Sequence, residues 1–75
     1  MIACLIVTRH LAGLSLYNLS LSFEQAGDLL RALASAREAL RIFQAALPPS
    51  HPHVAAAQRL VGYIEWAIQK LARKQ

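Results

Sequence analysis

Two groups of helix-breaking residues divide the 75-residue sequence, and this division limits the possible folds more than any other feature. The first is Gly27-Asp28, and the second is the segment Pro48-Pro49-Ser50-His51-Pro52, which holds every proline of the chain. Glycine ends a helix at no steric cost, whereas proline cannot continue one. Asp28 and either Ser50 or His51 are suited to begin the helices that follow. The pattern predicts three helices at about residues 9–26, 28–47 and 52–74.

The stretch between the two breaks has helical periodicity. Its apolar residues recur at steps of three and four: Leu29, Leu33, Ala36, Leu40, Phe43 and Leu47. A thin polar stripe of Arg31, Ser35, Glu38 and Arg41 lies opposite. Ala32, Ala39 and Ala46 form a second face of small residues, so we expect this helix to pack on two sides.

The remaining sequence supports a single all-α domain over residues 1–75. The chain is 56% hydrophobic, and many of the apolar residues are alanine and leucine, which favour helices. Short turns between long helices force antiparallel neighbours, which gives an antiparallel helix-turn-helix plus a third helix. A chain of this size cannot bury all its apolar residues. We therefore expect an exposed apolar face that packs against a neighbouring molecule or repeat.

The third predicted helix resembles the first. At an offset of 41 residues (51 − 10 = 41), His10 aligns with His51 and Phe23 with Ile64. The same offset aligns Leu19 with Leu60, Glu24 with Glu65 and Ala26 with Ala67. A period near 40 residues built from helix pairs is typical of helical solenoids. A closed three-helix bundle is the alternative, and helices also resemble one another by chance.

Several short strings resemble a known repeat family. Leu16, Leu19, Ser20 and Phe23, then Gly27, then Ala32 and Ala39 resemble the helix-turn-helix pattern of a tetratricopeptide repeat. The strings Asn18-Leu19-Ser20, Ala39-Leu40-Arg41-Ile42 and His51-Pro52-His53-Val54-Ala55 resemble the longer repeat of the kinesin light chain type. The resemblance covers about one and a half repeats. Ala36, Val61 with Gly62, and Ile68 depart from the pattern, so the second copy has no turn of its own and continues to Lys74 as a terminal helix.

The resemblance implies a protein-protein interaction module that binds a peptide segment of a partner protein. In this family the first helix of each pair lines a concave groove, and an asparagine matching Asn18 holds the backbone of the bound peptide. An amide suits that task because it both donates and accepts hydrogen bonds. The peptide-binding residues that follow from the resemblance are Tyr17, Asn18, Leu21, Gln25, Gln58 and Arg59. A solvated surface position is the alternative for Asn18 and Arg59. We expect Trp66 to pack, either in the core or between subunits.

Charge and cysteine content bear on the expected partners and on the cellular location. The net charge is +4, but the basic residues are spread along the chain without lining one face, so nucleic acid and membrane are not expected partners. Cys4 is the single cysteine, so the chain has no internal disulfide and a cytoplasmic location is expected. The apolar segment 1–7 is too short for a membrane span and lacks the basic start of a signal peptide. It is alternatively the end of a helix from a longer parent chain.

We expect neither catalysis nor a cofactor. The sequence contains four acidic residues, no glycine-rich phosphate loop and no nucleophile constellation. A metal site is one interpretation of the possible ligands His51, His53, His10 and Cys4. The sequence has no second pair of ligands at metal-binding spacing and no carboxylates near the histidines, so no metal site is predicted. Two further hypotheses remain beside the peptide-binding scaffold. One is a structural fragment that forms a homo-oligomer, and the other is a basic amphipathic binder of membranes or nucleic acids.

Overall fold

The computed structural model describes residues 2–73 of the chain, with side chains from His10 to Arg73. Within that range the protein consists of three helices and no strands: α1 (Ile2–Gln25), α2 (Leu29–Ala46) and α3 (Pro52–Arg73). The predicted all-α fold class is confirmed. The bounds of α2 and α3 agree with prediction, whereas α1 begins about seven residues earlier than predicted because the apolar start contains no helix breaker. Lys74, the predicted last residue of the third helix, lies outside the described residues.

The turn between α1 and α2 is closed by its own backbone. Gly27 has a φ of +85°, the left-handed conformation that favours glycine. The amide of Asp28 donates to the carbonyl of Phe23 at 2.9 Å, and the amide of Gly27 donates to that of Glu24 at 3.1 Å. This pair of bonds defines a Schellman motif. The Asp28 carboxylate then accepts from the Arg31 amide at 3.2 Å, so Asp28 caps α2 as predicted.

The second turn is also capped by a side chain. Leu47 leaves α2 in an extended conformation, with φ −124° and ψ 155°. Of the two predicted caps for α3, the structure selects His51, whose Nδ1 accepts a hydrogen bond from the amide of His53 at 3.1 Å. Pro52 is the first residue of α3, where its lack of an amide hydrogen costs nothing.

Helix α2 is the central element, because both other helices pack against it. Ala32, Ala36 and Ala39 are fully buried, which confirms that α2 packs on two sides. Small side chains let the neighbouring helices approach closely, and the buried hydroxyl of Ser20 on α1 donates to the carbonyl of Ala32 at 2.8 Å. Gly13 has a similar role, since a Cβ added there would lie 2.6 Å from the Phe43 ring.

The core consists of two neighbouring clusters along α2. One joins Ala32, Ala36, Leu60 and Ile64, and the other joins Ala39, Phe43, Val54 and Ala57. Helix α1 adds only partly buried apolar side chains to them: Leu14, Leu16, Tyr17, Leu21 and Phe23. The molecule is elongated and thin, with principal extents of 51 × 22 × 13 Å. So thin a molecule leaves much of its apolar surface next to solvent.

Candidate peptide-binding groove

A groove of about 290 Å³ lies between α1 and α3. Helix α1 contributes Leu14, Tyr17 and Asn18, α3 contributes His53 and Ala56, and Phe43 of α2 forms the floor. The groove therefore combines mainly apolar walls with one exposed amide. Such a combination is typical of sites that bury an apolar side chain and orient the ligand through a few polar groups.

The structure places the predicted site residues of α1 in three different environments. Tyr17 and Asn18 line the groove, and Asn18 is exposed. The Tyr17 side chain also packs against both core clusters, so it supports the fold as well as the groove. Leu21 is partly buried against the core cluster around Ile64. Gln25 is exposed at the last residue of α1, two turns beyond Asn18 on the same side of the helix.

The two predicted site residues of α3 lie on different sides of that helix. Gln58 precedes Glu65 by seven residues and shares its face, and Glu65 forms an ion pair with Arg37 of α2 at 2.9 Å. Gln58 is therefore exposed on the side of α3 that carries Glu65, and it lies outside the groove. Arg59 is exposed three residues after Ala56 and is not among the residues that line the groove. The 41-residue self-alignment matches positions along the sequence, but it does not show how α3 is rotated about its axis. It therefore could not show that Gln58 and Arg59 face different sides.

A cluster of three imidazoles lies beside the groove, and one of them, His53, lines it. The ring centroids of His10 and His53 are 4.9 Å apart, those of His51 and His53 are 4.7 Å apart, and those of His10 and His51 are 6.1 Å apart. Phe43 lies 5.5 Å from His53 and 6.0 Å from His10. The cluster joins α1 to the start of α3. The described residues nevertheless contain no group of three histidine, cysteine or acidic side chains arranged to hold a metal ion.

The stability of the protein should fall as the pH drops through the histidine range. Burial lowers the pKa of His53 below its ordinary 6.5, and the neighbouring His51 and His10 lower it further. The unfolded chain therefore binds a proton at His53 more readily than the folded chain does. The stabilising effect of neutral His53 is complete above pH 6.5 and is lost progressively below it.

Thermal unfolding followed by circular dichroism checks this expectation. The unfolding midpoint should be lower at pH 5.5 than at pH 7.5. His53→Phe keeps a ring against Phe43 but cannot titrate, so its midpoint should change less between the same two pH values. Equal midpoints for the wild type at both pH values would contradict the assignment.

The exposed face of α3 holds a second group of conspicuous side chains. Tyr63 and Trp66 are 50% and 54% exposed, and their ring centroids are 6.2 Å apart. The Nζ atom of Lys70 lies 4.7 Å from the centroid of the Trp66 ring, a cation–π contact. Trp66 therefore does not pack in the core, and its packing between subunits stays a prediction. Its position is on the side of α3 opposite to the helix's buried residues, which the apolar count of the sequence does not reveal.

The acidic side chains within residues 10–73 all have polar partners. Asp28, Glu65 and Glu38 form ion pairs with Arg31, Arg37 and Arg41, respectively. Glu24 on α1 accepts a hydrogen bond from the Tyr63 hydroxyl of α3 at 3.4 Å. Within the described residues no salt bridge involves Arg59, Lys70 or Arg73, so the unpaired positive charge of that region is concentrated on α3.

Comparison with protein-family profiles, with curated proteins and with solved structures finds no match for this chain. The structure alone defines the class: an all-α protein of three helices within residues 2–73. Its membership of a repeat family is a proposal. None of the helices in residues 2–73 is long and apolar enough to cross a lipid bilayer.

Proposed function

We propose that the chain is a protein-binding module, which holds a segment of a partner polypeptide in the groove between α1 and α3. The observation that carries this proposal is the groove itself, with Phe43 as its floor and the exposed amide of Asn18 at its edge. An apolar side chain of the segment would fill the depression above Phe43. The Asn18 amide would hydrogen-bond the segment's backbone, since it can both donate and accept.

We propose further that the chain is a slice of a tetratricopeptide-like solenoid. Two observations support this proposal: α2 packs against both α1 and α3, and His10 and His51, which the 41-residue self-alignment makes equivalent, have rings 6.1 Å apart. Asn18 is exposed on the helix that would line the concave side. A single cysteine in the sequence favours the cytoplasm as the place of action.

Selection from a displayed library of random 12-residue peptides on the full chain tests this function. Enriched peptides should bind with micromolar dissociation constants, which are typical of a small groove without added contacts. Asn18→Ala should weaken their binding about 5- to 10-fold, since one hydrogen bond contributes roughly 1 kcal/mol. Ser15→Ala changes another exposed residue of α1 outside the groove and serves as the matched control.

A second variant tests the apolar part of the groove. Ala56→Trp would fill the depression above Phe43 from the α3 side, and the selected peptides should then no longer bind. The proposal would be rejected by a library that yields no consensus peptide. It would equally be rejected if the peptides bound both the Asn18→Ala and the Ala56→Trp variants as well as they bound the wild type.

A second candidate function is self-association, which one specific surface favours. Leu30 is 73% exposed and Leu71 is 56% exposed, and both line a shallow depression beside Gly27 and Ile68 at the end of the molecule that holds the first turn. An exposed apolar patch of this kind often marks an interface. Sedimentation velocity over a range of concentrations separates the two functions, because a monomer that binds peptides opposes self-association as the main role.

A further inference from the structure

The third helix presents a continuous exposed stripe of cations and aromatic rings, which we call the α3 outer face. Its residues are Arg59, Tyr63, Trp66, Lys70 and Arg73. They recur at steps of four, three, four and three, which places them on one side of a helix. All five are exposed, and the stripe is about 21 Å long at 1.5 Å per residue. The sequence-based argument that the basic residues share no face holds for the whole chain but not for α3.

The charge of the α3 outer face favours an anionic partner. It has three cations without an ion pair among the described residues, whereas the arginines of α2 are already paired with acidic side chains. No acidic residue lies at any of the five positions, and the Glu24 carboxylate of α1 accepts a hydrogen bond from the Tyr63 hydroxyl at 3.4 Å. Unpaired cations gathered in this way attract a chain of negative charges and release the counterions that such a chain carries.

The aromatic side chains between the cations indicate which kind of anionic partner the α3 outer face would bind. The stripe contains no aliphatic residue, so it lacks the apolar surface that an amphipathic partner helix would bury. Instead it offers two neighbouring aromatic rings, tilted by 32° to one another. Exposed aromatic rings beside cations are suited to stack on planar bases while the cations contact phosphates. Bases in a duplex are not accessible for such stacking.

We infer that the α3 outer face binds single-stranded nucleic acid, with Trp66 and Tyr63 stacking on bases and Arg59, Lys70 and Arg73 contacting phosphates. Binding is independent of base sequence, because every base has a face on which an aromatic ring can stack. The inference does not depend on the groove between α1 and α3, and either one can fail while the other stands.

The single tryptophan of the chain gives a direct readout of base stacking. The probe is the oligonucleotide dT12, unlabelled for Trp66 fluorescence and fluorescein-labelled for anisotropy. Addition of dT12 to the full chain should quench Trp66 and raise the anisotropy in parallel. Three phosphate contacts predict a slope of about −2 for the logarithm of affinity against the logarithm of salt concentration. Binding should therefore weaken roughly 15- to 20-fold between 50 and 200 mM salt.

Matched variants separate stacking from charge. Trp66→Ala should weaken dT12 binding at least about fivefold, the lower end of the usual contribution of one stacked base. Lys70→Gln with Arg73→Gln should reduce the salt slope by about 1.4. Arg37→Gln with Arg41→Gln removes the same charge from paired arginines of α2 and should change dT12 affinity less than about twofold. Far-ultraviolet circular dichroism of each variant checks that the helices remain.

Poly-glutamate and phosphatidylserine vesicles are the competing probes. Poly-glutamate that binds as tightly as dT12 without quenching Trp66 would show a general preference for polyanions and overturn the inference. A blue shift of Trp66 on vesicles with no response to dT12 would identify a membrane surface instead and also overturn it. No binding of dT12 at 50 mM salt would overturn it outright.

Discussion

Replacing Phe43 with alanine is expected to lower the free energy of unfolding by about 3 to 5 kcal/mol, the usual cost of deleting a buried aromatic ring. Phe43 is 1% exposed and lies where all three helices meet. Its ring contacts the backbone side of Gly13 on α1, stacks near His53 on α3 and belongs to the core cluster of Ala39 and Val54. Alanine cannot fill this space, and a thin molecule has few other side chains that could move into it.

Urea denaturation followed by circular dichroism at 222 nm measures the effect. A chain of this size has a stability of roughly 4 to 11 kcal/mol, so the variant should be partly or wholly unfolded at 37 °C. Gln44→Ala changes the next residue, which is exposed, and should alter the stability by less than about 0.5 kcal/mol. A loss below about 1 kcal/mol for Phe43→Ala would mean that the three helices do not meet at this ring.

The two turns and the central helix were predictable from the sequence because local chemistry decides them. Gly27 takes a left-handed φ that few other residues tolerate, and Asp28 supplies a short carboxylate next to a free helix amide. The alanines of α2 were equally informative. A helix with small residues on one side and large apolar residues on another has two faces to bury, and α2 is indeed packed by α1 and α3.

The composition of the groove was only partly predictable, because it depends on contacts between distant residues. The resemblance indicated Tyr17 and Asn18, which lie in the groove, but it gave no sign that Phe43 is its floor or that His53 lines it. His10 and His53 are 43 residues apart in sequence (53 − 10 = 43), and their rings meet only because α1 and α3 lie side by side on α2. No local pattern contains that information.

The position of Trp66 was the least predictable feature of α3. The sequence favoured packing of this ring, in the core or between subunits, but it did not show that the ring lies on the side of α3 away from the core. In the structure Leu60 and Ile64 are buried while Trp66 is half exposed. The same rotation of α3 about its axis exposes Arg59, Lys70 and Arg73. It therefore decides both which apolar side chains are buried and which charged side chains face solvent.

Replacing Ala36 with leucine should destabilise the protein by about 1 to 3 kcal/mol although it adds apolar volume. Ala36 is fully buried in one cluster with Ala32 of α2 and with Leu60 and Ile64 of α3. A leucine side chain has no room there, so α2 and its neighbours must separate. The hydrogen bond from Ser20 to the Ala32 carbonyl lies one turn away, and we expect the separation to lengthen it.

The matched control for this overpacking is Ala34→Leu on the same helix. Ala34 is exposed, and leucine and alanine have similar helix propensities, so this variant should keep the wild-type stability within about 0.5 kcal/mol. Urea midpoints of the two variants, measured side by side, separate close packing from helix propensity because the chemical change is identical. An Ala36→Leu variant as stable as Ala34→Leu would show that α2 is not held tightly between two neighbours. The close approach of α1 and α3 to α2, on which the groove depends, would then be refuted as well.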